Sequence, residues 1–274
     1  MPADSLAPPV DFATPPVNEA VLSIQFAPIP KFGLPHLGLY WQRIREEFSR
    51  FESQPVLASV TEQFDVPFRG ARFGIQLISQ PEYRCWFLND NGSRLLQVQQ
   101  DRFIHNWRQV SDEQEPYPRY PAIRETLKTQ WTRFTEFLAS EMLDSPQVNQ
   151  LEVTYVNHID YNKGWKDYGD LQNVVALWSG RGTDGFLPSP ERVSMDAHYR
   201  LPDKSGRLYI TVIPVIRARD SQEVLQLTLT VRGAPKSSSL EDILEWMDFG
   251  RMWVVKGFAD FTAKEMHKLW GRKL

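Results

Sequence analysis

Val148-Asn149-Gln150-Leu151-Glu152-Val153-Thr154-Tyr155-Val156-Asn157-His158-Ile159-Asp160-Tyr161 is the stretch from which the fold can be argued. Leu151, Val153, Tyr155 and Ile159 fall on one side of an alternation and Glu152, Thr154, His158 and Asp160 on the other. That period of two is the signature of a half-buried β-strand. Asn157 keeps register with the apolar set, so it is expected to be buried and hydrogen-bonded. An earlier stretch, Val17-Asn18-Glu19-Ala20-Val21-Leu22-Ser23-Ile24-Gln25-Phe26, is a weaker copy: Ala20, Leu22, Ile24 and Phe26 oppose Ser23 and Gln25. Both open on Pro-Val-Asn or Pro-x-Val-Asn. One strand met at 17 and again at 148 implies two copies of one unit.

Working outward, residues 1–16 form a proline-rich extended arm, either a free tail or a segment lying on a partner. The first α+β unit spans 17–146. After its strand, the apolar spacing Leu37, Trp41, Ile44, Phe48, Phe51 predicts an amphipathic helix. Arg72–Ile78, Arg84–Leu88, Leu95–Gln99 and Phe103–Trp107 then predict a four-stranded meander, with Asn89-Asp90-Asn91-Gly92 as a hairpin turn. Ile123, Leu127, Trp131, Phe134 and Leu138 mark a long helix with Pro121 near its first turn.

The second unit, 147–274, repeats that order with one strand fewer. Its strand at 148–161 leads to a short helix at 170–178, strands at 193–201, 207–216 and 224–231, and a helix capped by Ser239. Gly257 and the box Thr262-Ala263-Lys264-Glu265 predict a break before a last helix. The fold class is α+β. Two pseudo-repeats of strand, helix, antiparallel meander and helix follow the element order of a TATA-box-binding-protein-like saddle, a curved sheet with helices on one face and the other face open. DNA bending does not carry over, because no paired aromatic wedges can be assigned.

Composition bounds the function. The 274 residues include 42% hydrophobic and 24% charged side chains, the profile of a globular chain packed as one globule or two lobes. Thirty-one basic and 34 acidic residues, spread throughout, give a net charge of −3 and no general attraction to nucleic acid or anionic lipid. No apolar run is long enough for a membrane span and no signal pattern opens the chain, so a cytoplasmic protein without membrane contact is expected. Cys85 stands alone, which excludes an internal disulfide and an all-cysteine metal cage; within its strand it is expected to be a small buried hydrophobe. The aromatic share of 12%, with nine tryptophans, leaves surface for a protein interface.

Candidate chemistry is sparse. Gly180-Arg181-Gly182-Thr183-Asp184-Gly185 lacks the Lys-Ser/Thr ending of a phosphate loop and is expected to be a flexible connection. His158 with Asp160, and Asp196 with His198, share the polar faces of two strands. If those strands are neighbours, two imidazoles and two carboxylates meet, a donor set suited to metal or hydrolysis. Otherwise they are chance pairs on solvated strands. Gln97 to Arg108 is dense in amide, basic and aromatic groups: Asn106 and Arg108 point one way, Phe103, His105 and Trp107 the other. With Arg102, this run is either a binding surface or a core Trp107 beside Arg108 in a structural ion pair.

Several local signatures carry a resemblance: Pro15-Pro16-Val17-Asn18-Glu19-Ala20-Val21, Asn106-Trp107-Arg108, Tyr117-Pro118-Arg119-Tyr120, Leu151 to Ile159, Gly257-Phe258-Ala259-Asp260-Phe261-Thr262 and Met266-His267-Lys268-Leu269-Trp270. Over nearly the whole chain they resemble a sporadically distributed, uncharacterised family of bacterial proteins of about this length. The resemblance supplies no catalytic residue, cofactor or metal. It implies a bacterial cytoplasmic protein of patchy distribution, as in toxin–antitoxin or phage-defence loci.

The expectation is therefore a non-enzymatic binding or regulatory protein that engages a protein partner through its open sheet face or its arm, with a homo-oligomer also open. One alternative is a hydrolytic or metal-dependent enzyme around His158, Asp160, Asp196 and His198. The other is nucleic-acid binding through Arg102, Trp107 and Arg108. Glu152, His158 and Asp160 are the first functional candidates on the central strand.

Overall fold

A computed structural model describes residues 10–64, 83–111, 116–178 and 186–273. Its eleven described strands are β1 (Asp11–Phe12), β2 (Val17–Phe26), β3 (Arg50–Gln54), β4 (Arg84–Leu88), β5 (Arg94–Gln99), β6 (Arg102–Arg108), β7 (Val148–Asp160), β8 (Met195–Arg200), β9 (Arg207–Ile216), β10 (Glu223–Gly233) and β11 (Arg272–Lys273). The helices are α1 (Leu34–Ile44), α2 (Arg119–Ser140), α3 (Leu240–Phe261) and α4 (Lys264–Leu269). Nine strands form one antiparallel sheet in the order β3-β4-β5-β6-β2-β7-β10-β9-β8. The two alternating stretches, β2 and β7, lie side by side at its middle, with Leu22 opposite Val153 and Ile24 opposite Leu151. Strands from both halves of the chain thus share one sheet and one hydrophobic core.

The helices cover the face that carries Ala20, Leu22, Ile24, Leu151 and Val153, all sealed from solvent. Phe134 of α2 is the hub. Its ring meets Phe26, Phe32, Tyr40, Phe103 and Trp131 with centroids 5.1 to 6.2 Å apart. These spacings suit tilted and edge-on aromatic pairs. On α3, Gly250 and Gly257 let the helix approach closely: a Cβ at Gly257 would stand 2.8 Å from Leu208 Cδ2, and one at Gly250 3.0 Å from Val153 Cγ2. Ser239 caps α3 as its sequence predicts, its hydroxyl accepting from the Asp242 amide at 3.1 Å.

Several expectations need correction. The helix predicted to reach Phe51 starts at Leu34 and stops at Ile44, and Phe51 instead lies in β3 opposite Phe87. Pro35 sits in the first turn, where its missing N–H costs no helical bond, and the chain turns after Ile44 to bury Phe48. The predicted strand Arg72–Ile78 and the glycine-rich stretch 180–185 lie outside the described residues. The short helix predicted at 170–178 is a 3-10 turn, Tyr168–Asn173.

At the other end of the chain, α3 runs through Gly257, whose role is close packing rather than termination. Thr262 does not cap α4: its hydroxyl turns back to the Phe258 carbonyl and the His267 ring. The arm, expected to have little that packs, is pinned from Asp11 by pairing β1 with β11. Phe12 sits in the core against Phe258 and Trp270, which satisfies its apolar surface within the chain. No helix among the described residues is long and apolar enough to cross a membrane.

Candidate functional site

The sheet face opposite the helices is polar, and part of it is crossed by the chain itself. Gln99, Arg102, Gln25 and Gln150 stand in direct cross-strand register on β5, β6, β2 and β7. Residues 55–64, which continue from β3, run over this row. Gln99 bonds both main-chain groups of Leu57, accepting at 3.0 Å and donating at 2.9 Å. Arg102 donates to the Ala58 carbonyl at 2.9 Å. Gln25 repeats the two-way pairing at Val60, both bonds 2.9 Å, and Gln150 accepts the Glu62 amide at 3.2 Å.

A glutamine amide presents a donor and an acceptor side by side, so it can pair with both groups of a peptide backbone while its second N–H bonds elsewhere. The row therefore acts as a ladder for an extended backbone laid across the strands. Neighbouring strands lie ~4.8 Å apart, so passing from β5 to β7 covers ~14 Å, close to the reach of five extended residues. At the far end side-chain recognition takes over. The Glu62 carboxylate, its side chain 5% exposed, bonds Arg207 and the Tyr209 hydroxyl, and Arg232 stands 3.6 Å away. Arg207 also donates to the Gln63 carbonyl at 3.1 Å. Arg232 is shared with Glu152, at 2.6 Å. A buried carboxylate between two guanidiniums is a demanding site, because each charge left without a partner would keep its desolvation cost.

Beside this ladder runs a second polar relay. Arg84 and the Trp86 indole both donate to Gln97, Gln97 donates to Asn106, and Asn106 donates to Glu19 at 2.6 Å. Burial pushes the Glu19 carboxyl up from its ordinary pKa, against the opposing pull of the Asn106 bond. Arg108 donates to the Gly92 carbonyl at 2.9 Å and lies over the Trp86 ring.

The predicted site residues are thus distributed over several places. Arg102, Asn106, Arg108 and Glu152 are on the polar face, in the ladder or its flanking relay. His105 and Trp107 are in the core, 1% and 4% exposed. Burial lowers the His105 pKa to about 4, so its imidazole is neutral at pH 7. Trp107 packs against Tyr117 in the core and offers no platform for base stacking; the ring beside Arg108 is that of Trp86, half-buried and bonded through its indole to Gln97. Asn157 is buried as predicted and donates to the Leu227 carbonyl at 3.1 Å.

The two His/Asp pairs do not meet, because β10 and β9 separate β7 from β8. His158 pairs with Gln226 at 3.2 Å, and burial foremost lowers its pKa. Burial works to raise the Asp160 pKa, but the bonds and charges of Lys163 and Arg217 together hold it below its usual value. Asp196 and His198 form an exposed pair at 3.0 Å on the outermost strand. Among the described residues no three metal-ligating side chains gather. Cys85 is free and buried, and burial raises its thiol pKa.

No family model, curated protein or solved structure matches the chain. The site therefore stands on its own geometry. Gln25, Gln99, Gln150, Arg207, Tyr209, Arg232 and Glu62 were not singled out by sequence. A signal existed for some of them: glutamine recurs at outward strand positions in Ser23-Ile24-Gln25, Gln97-Val98-Gln99 and Asn149-Gln150-Leu151. Nothing in 55–64 marks Glu62 as the residue that ends the crossing.

Proposed function

We propose that this chain is a non-enzymatic binding protein whose polar sheet face holds an extended segment of a partner protein, in the place taken here by its own residues 57–63. The observation that carries this reading is the ladder. Four side chains in register bond main-chain groups, which makes the track tolerant of sequence, and the Arg207–Tyr209–Arg232 cluster then selects an acidic residue. Directional main-chain bonds supply affinity and one charged pocket supplies specificity. The crossing segment acts as an internal competitor, favoured because it is tethered.

The same reading treats the chain as two related units. β2 and β7 begin them, and each is flanked outward by its own strands, β6-β5-β4-β3 and β10-β9-β8. On this reading the sheet is saddle-like, with helices on one face and a ligand on the other. A toxin or phage-defence effector, as the family resemblance implies, is the first candidate to supply the segment.

A labelled peptide of residues 56–64, added in trans and followed by fluorescence anisotropy, tests the face. The Glu62→Ala chain, its own segment loosened, should bind the peptide at least tenfold more tightly than the unaltered chain. Adding Arg207→Ala and Arg232→Ala should abolish that gain. Equal binding by all three proteins, or by none, overturns the reading.

A further inference from the structure

On the other side of the sheet a cavity of about 400 Å3 opens between the arm, the start of α2, β7 and α3. Its volume lies within the ~300–1,000 Å3 common for small-molecule sites. Val10, Phe12, Val17, Val254 and Phe258 give it apolar walls. Tyr117 and Tyr155, their hydroxyls 2.8 Å apart, and Arg251 complete the lining.

The charges do not balance. Among the described residues, Arg119, Arg251 and Lys273 line the cavity against one carboxylate, Asp11. Asp11 is already held by Lys273 at 2.6 Å and Arg119 at 3.3 Å. The nearby Asp248 is held by Arg124 at 2.8 Å and by the Tyr120 hydroxyl at 2.7 Å. Arg251 makes no ion pair among the described residues, and its buried Nε has no hydrogen-bond partner. It lies over the Tyr120 ring, 5.5 Å from the centroid, and beside the Tyr155 hydroxyl.

Burial raises the pKa of both Tyr117 and Tyr155, so both phenols keep their protons. Their mutual bond uses one of the two protons, which leaves one hydroxyl free to donate. A cation without a counter-ion, a spare phenolic donor and an apolar chamber together fit one chemistry. We propose that this cavity binds a small organic monocarboxylate with an apolar body, its carboxylate on Arg251 and the tyrosine pair and its hydrocarbon against Phe12, Val254 and Phe258. A guanidinium matches a carboxylate in two parallel bonds, and removal from water strengthens both. The site lies on the helix side of the sheet, so it is independent of the proposed peptide face.

Titration calorimetry and thermal unfolding of the full chain test this with octanoate and phenylacetate as probes, against 1-octanol and inorganic phosphate. The two carboxylates should bind and raise Tm with concentration, as any ligand selective for the folded state does. Octanol and phosphate should bind at least tenfold more weakly. Arg251→Gln should lower carboxylate affinity at least tenfold, and Tyr155→Phe severalfold. Val255→Phe, which narrows the cavity from α3 and leaves the arginine in place, should also block binding and guards against a folding defect in the arginine variant. Octanol binding as well as octanoate, phosphate binding as well as either carboxylate, unchanged affinity in Arg251→Gln, or no binding by the unaltered chain would each overturn the assignment.

Discussion

The two faces of the central strands β2 and β7 are covered by different physics. On one face Leu22, Ile24, Leu151 and Val153 disappear beneath helices, and what matters is area and fit. On the other, Gln25 and Gln150 hold a single extended segment by a few directional bonds. Side chains two atoms of backbone away from each other thus belong to coverings of unequal strength. The helix face fixes the fold, while the polar face keeps its covering by a short row of hydrogen bonds and one charged cluster.

The difference is broken most severely at the hub. Phe134→Ala should cost about 3–5 kcal/mol in urea unfolding, because it leaves a cavity bounded by five aromatic rings that cannot collapse. Acid attacks the same face through His105. Between pH 6.5 and about 4 the unfolded chain takes up a proton that the buried imidazole refuses. Stability should therefore be full above that window and fall as pH drops through it, by on the order of 3 kcal/mol for this group. His105→Leu should remove this part of the acid limb of a stability–pH profile.

The polar face should respond less and locally. Glu62→Ala leaves Arg207 and Arg232 without their shared carboxylate at partly exposed positions, a loss of about 1–3 kcal/mol. Its reporter is hydrogen exchange: the Leu57, Val60 and Glu62 amides should exchange faster while β7 amides keep their protection. Gln25→Ala should do the same on a smaller scale, about 1–2 kcal/mol for the two bonds to Val60, with the bonds to Asn149 and Arg102 lost beside them, and most strongly at Val60. A global loss of protection in either variant would show that the two coverings are one cooperative unit.

These contrasts explain what could be learned from sequence. Alternation exposes a strand whose two faces meet different surroundings, so β2, β4 and β7 were legible to within about a residue, and so was the buried Asn157. Phe51 was misplaced because Trp41, Ile44, Phe48 and Phe51 have helical spacing, whereas the chain buries Phe48 through a turn. The candidate site was legible only in part. Arg102 and Asn106 were singled out for their polarity, but their partners Ala58 and Glu19 are set by tertiary placement. His158 and His198 looked alike in sequence, and only the strand order, with β10 and β9 between them, separates them.

The two strands at the ends of the sheet, among the described residues, bear on how another chain could approach. β3 spans five residues and carries Arg50 and Glu52, and β8 spans six and carries Asp196, His198 and Arg200. A short rim studded with charge is a poor template for a further strand, since an added chain must strip water from those groups before it can share the free amides. Edge-to-edge stacking of copies into a growing ribbon is discouraged for the same reason. If the proposed partner segment binds, the charged rims favour the sheet's surface over these borders as its place.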